Sequence, residues 1–400
     1  MISAAMDGAL HRRANTEDIV VAAGCASLIE TIDGFFEIEA AWKELEARCK
    51  GAILFQTFDW CRNCVEHSLD HNPVEPRIFA IWRGGELSAL LPLCLKDNQG
   101  LNVLTGLSEP FQQYTEMLIA PGEDAAAIFG EFLGLMRRAG ADYLHLGQVR
   151  EDSALFAAME GRVPVSGEAD AAPYVALSDW PDFDSYYREA VKAKTRKNMR
   201  NARNRLERTA PPKHHAARDG ELLAHVIDRS FAGREAWLER QGLTSRAFRD
   251  SGFGGFVERF KRPDHIGVET IAFSLTHEDK PIADQWGFVY RGRYYAFMAG
   301  WDSEYEQVGP GKLHLGSILE ECFTQGIETA DFMIPAARYK LTWATGAVPV
   351  RDHVLALSMR GVIHNRLWLD FGRPVAKKLA YSLPTGLRSK LFRILMPSRD

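Results

Sequence analysis

Apolar residues recur at helical spacing in two stretches about 185 residues apart. In "IFGEFLGLMRRAGADYLHLGQV", Ile128 to Val149, they are Phe129, Phe132, Leu133 and Met136; in "HLGSILEECFTQGIETADFMIP", His314 to Pro335, they are Leu315, Ile318, Leu319 and Cys322. Steps of three and four turn one face of a helix toward a core. Each run stops at a glycine, Gly140 or Gly326, the residue best suited to the left-handed backbone of a helix C-terminus. Each then enters a short strand through an Ala-Asp pair. Upstream, "RIFAIWRGGELSALLPLCL" and "ETIAFSLTHEDKPIADQWGFVY" both read as strand, polar turn, strand, and the second continues through "RGRYYAF" into a further strand. Two echoes in the same order predict a duplicated unit of hairpin-rich antiparallel sheet, helix and strand.

Between the halves, "WPDFDSYYREAV" predicts a helix start capped near Asp182 or Asp184 and running on into "KAKTRKNMRNARNRLER", Lys192 to Arg208. Val191, Thr195, Met199, Ala202 and Leu206 form one fairly apolar stripe, Lys and Arg fill the rest of the circumference, and "APPKHH" ends the helix. The basic stretch carries +7 and the tail 361–400 carries +6, in a chain whose net charge is −5, so the remainder is strongly acidic. Such a balance excludes a protein that coats duplex DNA and points to a localised anionic partner. A phosphorylated ligand, RNA and a solvated face stay open. In the tail, Leu387, Leu391, Ile394 and Leu395 lie among Arg and Lys, the composition of an interfacial segment, with Pro384 interrupting it. Attachment to an anionic membrane surface is expected there.

At 400 residues the chain is long enough for two domains, and 46% hydrophobic with 25% charged residues is a soluble globular balance. No apolar run approaches the ~18 residues of a membrane span. Acids in "MISAAMDGALHRRANTEDIVV" argue against an export signal. Of six cysteines only Cys61 and Cys64 form a CxxC pair, without a second pair or a nearby His, so a reduced cytoplasmic protein without metal is expected.

The most informative segment is "YYAFMAGWDSEYEQVGPGKLHLGSILEECF", Tyr294 to Phe323. A Gly-rich turn opening a helix leaves main-chain amides pointing outward at the positive end of the dipole, a setting suited to phosphate. Strand, GxG turn, helix and strand within a duplicated unit resembles a tandem GNAT-fold acyltransferase. The pattern is similar to the CelD-like acetyltransferases of cellulose and exopolysaccharide biosynthesis, relatives of the FemAB peptidyltransferases. The resemblance spans about Phe35 to Ser358 and rests on "FQTFDWC", Leu91–Leu93, "KTRKNMRNARNRL", "PIADQWGF", "AGWDSEYEQVGPGKLHL" and "ADFMIPAARYKLTW". One departure is that Gln307 precedes Gly309 one residue closer than in the superfamily's Gln/Arg-x-x-Gly-x-Gly loop.

The resemblance implies an α/β (α+β) fold of two GNAT-like domains, each a mixed, largely antiparallel sheet flanked by helices. The expected division is an extension 1–30, a first domain 31–178 with a degenerate donor site, a second domain 179–360 and a basic tail 361–400. It implies direct transfer of an acetyl or acyl group from acyl-CoA to an amine of a sugar or polysaccharide precursor. The rival donor is an aminoacyl-tRNA, as in FemAB-like enzymes; a non-enzymatic module of the polysaccharide machinery is the third reading. Donor phosphates are expected on Val308, Gly309, Gly311, Lys312 and Leu313. Asp284, an acid inside a strand, is the candidate base or substrate anchor. Tyr305 is the candidate proton donor to the departing thiolate, beside Asp302. Lys340, in "RYKLTW" after Tyr339, matches a lysine that stabilises developing charge in FemAB relatives. Gln56, Trp60, Gln112 and Tyr114 from one side, with Arg234 and Trp237 from the other, are expected to line the acceptor cleft.

Overall fold

The computed structural model describes residues 25–365, apart from 71, 244 and 263–265. The opening extension, save its last residues, and nearly all of the basic tail lie outside the described residues. No described helix is long and apolar enough to cross a membrane.

The first half begins with β1 (Ala26–Ile29) and three helices, α1 (Ile32–Glu37), α2 (Glu39–Arg48) and α3 (Phe58–Leu69). Antiparallel β2 (Glu75–Arg83), β3 (Glu86–Asn98) and β4 (Leu101–Gly106) follow, with the short β5 (Leu118–Ile119) against β3. Then come α4 (Ala125–Met136), β6 (Tyr143–Arg150) parallel to β4, α5 (Ala154–Met159) and β7 (Val165–Ala176). The second half opens with α6 (Phe183–Glu189), α7 (Ala193–Leu206), β8 (Lys213–Ala217), α8 (Gly220–Gln241) and α9 (Phe253–Arg259). It repeats the order with antiparallel β9 (Thr270–His277), β10 (Lys280–Tyr290) and β11 (Arg293–Trp301), then α10 (Pro310–Thr324) and β12 (Thr329–Asp331) parallel to β11. The chain closes with α11 (Arg338–Leu341), β13 (Gly346–Ala356) and α12 (Met359–His364).

All of these strands join one mixed sheet, in the order β1-β2-β3-β4-β6-β13-β7-β12-β11-β10-β9-β8, with β5 beside β3. Each half lends its last strand to the other. β7 pairs with β12, β13 pairs with β6, and the two exchanged strands pair with each other from Gly346↔Tyr174 to Val350↔Asp170. Main-chain hydrogen bonding therefore runs unbroken across the join.

Alternation along the strands assigns the cores. On β2, Ile78 and Ala80 face one core while Phe79 and Ile81 face another; on β11, Tyr295 and Tyr294 divide in the same way. One face carries a core shared by both halves, where α1–α3 meet α8 and α9. Trp60 stacks on Phe260 at 5.8 Å and meets Phe256 and Phe288 edge-on. Each such aromatic, wholly removed from water, contributes on the order of 1.5–3 kcal/mol. On the opposite face α4 and α5 cover the first half, and α6 with α10 cover the second.

The basic segment departs from the single helix its periodicity predicts. α6, capped by Asp182 accepting from the Ser185 amide, ends at Glu189, and α7 starts afresh at Ala193. The Arg196 guanidinium folds back to donate to the carbonyls of Arg188 (2.6 Å) and Val191 (2.5 Å), satisfying the end of α6 that no helical amide reaches. The apolar stripe does face inward: Val191, Met199, Ala202 and Leu206 are buried. Cys61 and Cys64 sit inside α3, where burial pushes both thiols up, Cys64 to about 12.

Candidate functional site

β11 and β12 pair over only three residues, Arg293↔Thr329 to Tyr295↔Asp331. β11 then continues along β10 to Trp301, while the chain beyond Asp331 swings away through Met333, whose φ is 54°. A wedge opens between Ala296–Trp301 and the segment 332–336. α8 crosses one end of it in close contact with the strand. A Cβ on Gly300 would lie 3.1 Å from the Ser230 Cα, and one on Gly233 3.5 Å from the Gly300 Cα. Gly300 thus permits the close approach that delivers the next turn of α8, with Arg234 and Trp237, to this place, while a side-chain carbon at Gly233 would rest at ordinary contact distance.

Arg234 lies over the Trp237 ring, 4.5 Å from its centroid, and is paired with no carboxylate among the described residues. Burial lowers its pKa. From α11, Lys340 reaches back to donate to the carbonyls of Met333 (2.9 Å) and Ile334 (3.4 Å). Burial, then the nearby Arg234 charge, pushes the Lys340 ammonium down to about 8, against a smaller opposing pull from Asp331 and Asp170. Tyr339 is 40% exposed beside them; burial raises its phenol and Arg234 draws it back.

The wedge's base is a polar knot. Asp331, fully buried, accepts from the Tyr114 hydroxyl (2.9 Å), the Met333 amide (2.8 Å), Arg150 (3.0 Å) and Arg293 (3.2 Å). Tyr114 and Arg150 come from the first half, Asp331 and Arg293 from the second. With that carboxylate saturated, Arg234 and Lys340 leave the wedge with surplus positive charge. Such a setting stabilises negative charge developing on a carbonyl oxygen.

The bend before α10 is less open than its composition predicts. Gly309 caps the helix in the left-handed region, φ 67°, as a glycine permits. Its amide donates to the Glu306 carbonyl (3.0 Å), and the Lys312 and Leu313 amides both turn to the Gly309 carbonyl (3.0 and 3.3 Å). Pro310 has no N–H. Across Gly309–Leu313 this leaves the Gly311 amide without a main-chain acceptor, beside the exposed Lys312 side chain. Val308 and Leu313 pack against Leu206, Leu275 and Ile282. One phosphate fits the Gly311 amide, the helix end and Lys312; a grip by the whole bend does not. At the matching place in the first half, the Asp124 carboxylate accepts from the Ala126 and Ala127 amides, closing the N-terminus of α4.

Of the residues singled out from sequence, Arg234, Trp237, Tyr339 and Lys340 converge on the wedge. The others have different surroundings. Asp284 is held in a two-point ion pair by Arg229 of α8, at 2.6 and 3.0 Å, so both carboxylate oxygens are engaged. Asp302 accepts from the Glu304 amide and pairs with Lys280, whose hydrogen bond lowers its pKa. The Tyr305 hydroxyl meets His277 of β9, three strands along the sheet from β12. Gln56, Trp60, Gln112 and Tyr114 are buried rather than set along an open cleft. Gln56 donates to the Tyr114 carbonyl (2.8 Å), Gln112 to Thr115 (2.8 Å), and Trp60 is core. Sequence reasoning passed over Asp331 and Arg150. The signal was there for Asp331, an acid closing an apolar strand, the same feature that drew attention to Asp284.

Residues 193–341 match the family described as an acetyltransferase (GNAT) domain. No curated protein sequence matches the chain. Among solved structures it is similar to FemX, at 10% identity over 85% of this chain and 99% of that one, with a TM-score of 0.56. It is also similar to a tandem GNAT protein of the clavulanic acid biosynthesis pathway (13%, 84% and 99%, TM-score 0.47). A third is the C-terminal domain of a putative lysylphosphatidylglycerol synthetase from Agrobacterium fabrum (11%, 84% and 98%, TM-score 0.48). The chain therefore has the GNAT acyltransferase fold in two tandem units sharing one sheet, and the second unit carries both the family match and the wedge.

Proposed function

We propose that the wedge of the second unit is an acyl-transfer site that uses acyl-CoA as donor and an amine of a sugar or polysaccharide precursor as acceptor. The observation that carries this is the pair of cations, Arg234 and Lys340, gathered where β11 and β12 part and joined by no ion pair among the described residues, with Asp170 exerting only a weaker pull on Lys340. In such a reaction a neutral amine attacks the donor carbonyl, the C–N bond forms and the C–S bond breaks, and the proton lost from nitrogen balances the departing thiolate, so that an amide and a free thiol are the products. With a pKa of about 8, Lys340 is mostly protonated at neutral pH and offers its charge to the carbonyl oxygen as electrons gather there. Arg234 adds a second charge from the far wall, and Tyr339 borders the acceptor side. Gly311 and Lys312 would hold one donor phosphate. The closed N-terminus of α4 supports a single donor site in the second unit.

Turnover of a deacetylated amino sugar with acetyl-CoA tests the reading, and Lys340→Met should lower kcat far more than it raises the donor KM. Turnover of an aminoacyl-tRNA with none from acetyl-CoA would assign the donor to the rival class. Binding of the acceptor without turnover of either donor would make the protein a non-enzymatic module. Peripheral attachment through the tail 361–400 belongs to the same proposal, and is checked by sedimentation of the full chain with anionic vesicles.

A further inference from the structure

Part of the exposed basic face of α7 borders a partly open cavity of about 500 Å³ between α6, α7 and α10. Arg196, Arg200 and Arg203 line one wall at steps of four and three residues. Arg196 is committed to the end of α6. Arg200 and Arg203 are exposed, and neither pairs with a carboxylate among the described residues. Burial raises the Tyr187 phenol, and the charges of Arg196, Arg200 and Arg203 oppose that rise.

Half of the remaining lining is apolar or aromatic. Tyr187 stacks on Trp343 with centroids 6.0 Å apart and planes at 28°, and on Phe183 at 5.4 Å and 21°, so its ring is flanked on both sides and turns its edge to the cavity. Trp343 is 2% exposed and lies against Gly316 of α10, where a Cβ would come within 2.8 Å of the indole. Phe183 and Leu313 add to this surface. Asp184 and Glu320 stand on the lining too, against four arginines once Arg188 is counted, so the cavity is net positive.

We propose that this cavity binds the phosphorylated end of a nucleotide-bearing ligand, with phosphate on Arg200 and Arg203 and the base or sugar against the edges of the Phe183–Tyr187 stack. The volume is that of a small-molecule site, and arginine forks fit phosphate oxygens in pairs. A merely solvated basic face has no reason to gather arginines over an aromatic-walled hollow. Lys194 and Lys197, on the same helix, stay outside it. Two sources share this chemistry: the nucleotide end of a coenzyme donor, or a nucleotide-linked acceptor. The cavity runs along the first turns of the helix whose N-terminus offers only the Gly311 amide, so a donor's further phosphates have a place to go. The site is measured by binding alone, without turnover, so its failure and that of the acyl-transfer reading are separable.

The test is calorimetric titration of the full chain with adenosine 3′,5′-bisphosphate, with uridine diphosphate and with inorganic phosphate. It compares the wild type with Arg200→Ala/Arg203→Ala and with Lys194→Ala/Lys197→Ala, which removes equal charge from outside the cavity. The arginine pair should weaken binding of one nucleotide by roughly tenfold or more, and the lysine pair by no more than about twofold. Loss confined to the adenosine bisphosphate assigns the site to the donor; loss confined to the uridine nucleotide assigns it to the acceptor. No nucleotide binding by the wild type, or equal weakening by both pairs, overturns the proposal. All four positions are exposed, so unchanged thermal unfolding is expected throughout.

Discussion

Replacing Lys340 by methionine removes a charge that the fold holds at a disadvantage. The folded-state pKa is about 8 against an ordinary 10.5, and each unit corresponds to about 1.4 kcal/mol, so the disadvantage is about 3 kcal/mol. Its sign follows from proton binding. Below pH about 8 the lysine is charged in both states, and the folded protein bears the full cost. Between about 8 and 10.5 the unfolded chain keeps a proton that the folded one has released, so stability rises with pH. Denaturant unfolding of wild type and Lys340→Met, from about pH 7 to about pH 10.5, isolates this group, since other titrations cancel in the difference. The wild type should gain about 3 kcal/mol on the variant across that range. Turnover should move the other way: if the ammonium stabilises the carbonyl oxygen, wild-type kcat declines as pH passes about 8. A stability difference that stays flat, or that moves against the wild type as pH rises, would refute the burial argument for Lys340 and the electrostatic role built on it.

Asp331→Asn leaves Arg150 and Arg293 facing a neutral group at the join between the two halves. A loss of about 3 kcal/mol in urea unfolding is expected, with the midpoint shifted. Arg229→Ala strands the largely buried Asp284 carboxylate and should cost about 2 kcal/mol or more by the same measurement. Asp284→Asn, in contrast, should keep turnover within a few-fold, and an abolished kcat in a folded variant would return Asp284 to the chemistry. Tyr305→Phe removes a hydroxyl that meets His277 and not the wedge, so kcat should stay within about twofold in steady-state assays.

Much of this protein was legible along the chain. Helical spacing in Ile128–Val149 and His314–Pro335 located α4 and α10, because amphipathic periods reflect which face meets a core; the first Ala-Asp pair leads into β6, whereas the second closes β12 instead of opening it. Lys340, Tyr339, Arg234 and Trp237 could be chosen from sequence because a pattern of residue types marked them. The exchange of β7 and β13 could not be read there, since the strand a segment pairs with is settled by its partner's edge and not by its own composition. Nor could the partners of Asp284. An acid in a strand looks the same whether it awaits a substrate or grips an arginine 55 residues away in sequence. Main-chain amides around Gly309 were countable in sequence, but whether they point outward depends on one left-handed turn that bonds three of them internally. Sequence by itself determined the duplicated elements and their amphipathic faces, which are local properties of spacing. Tertiary structure decided which charges remain unpaired at the wedge and around the α7 cavity, because pairing requires two distant segments to meet.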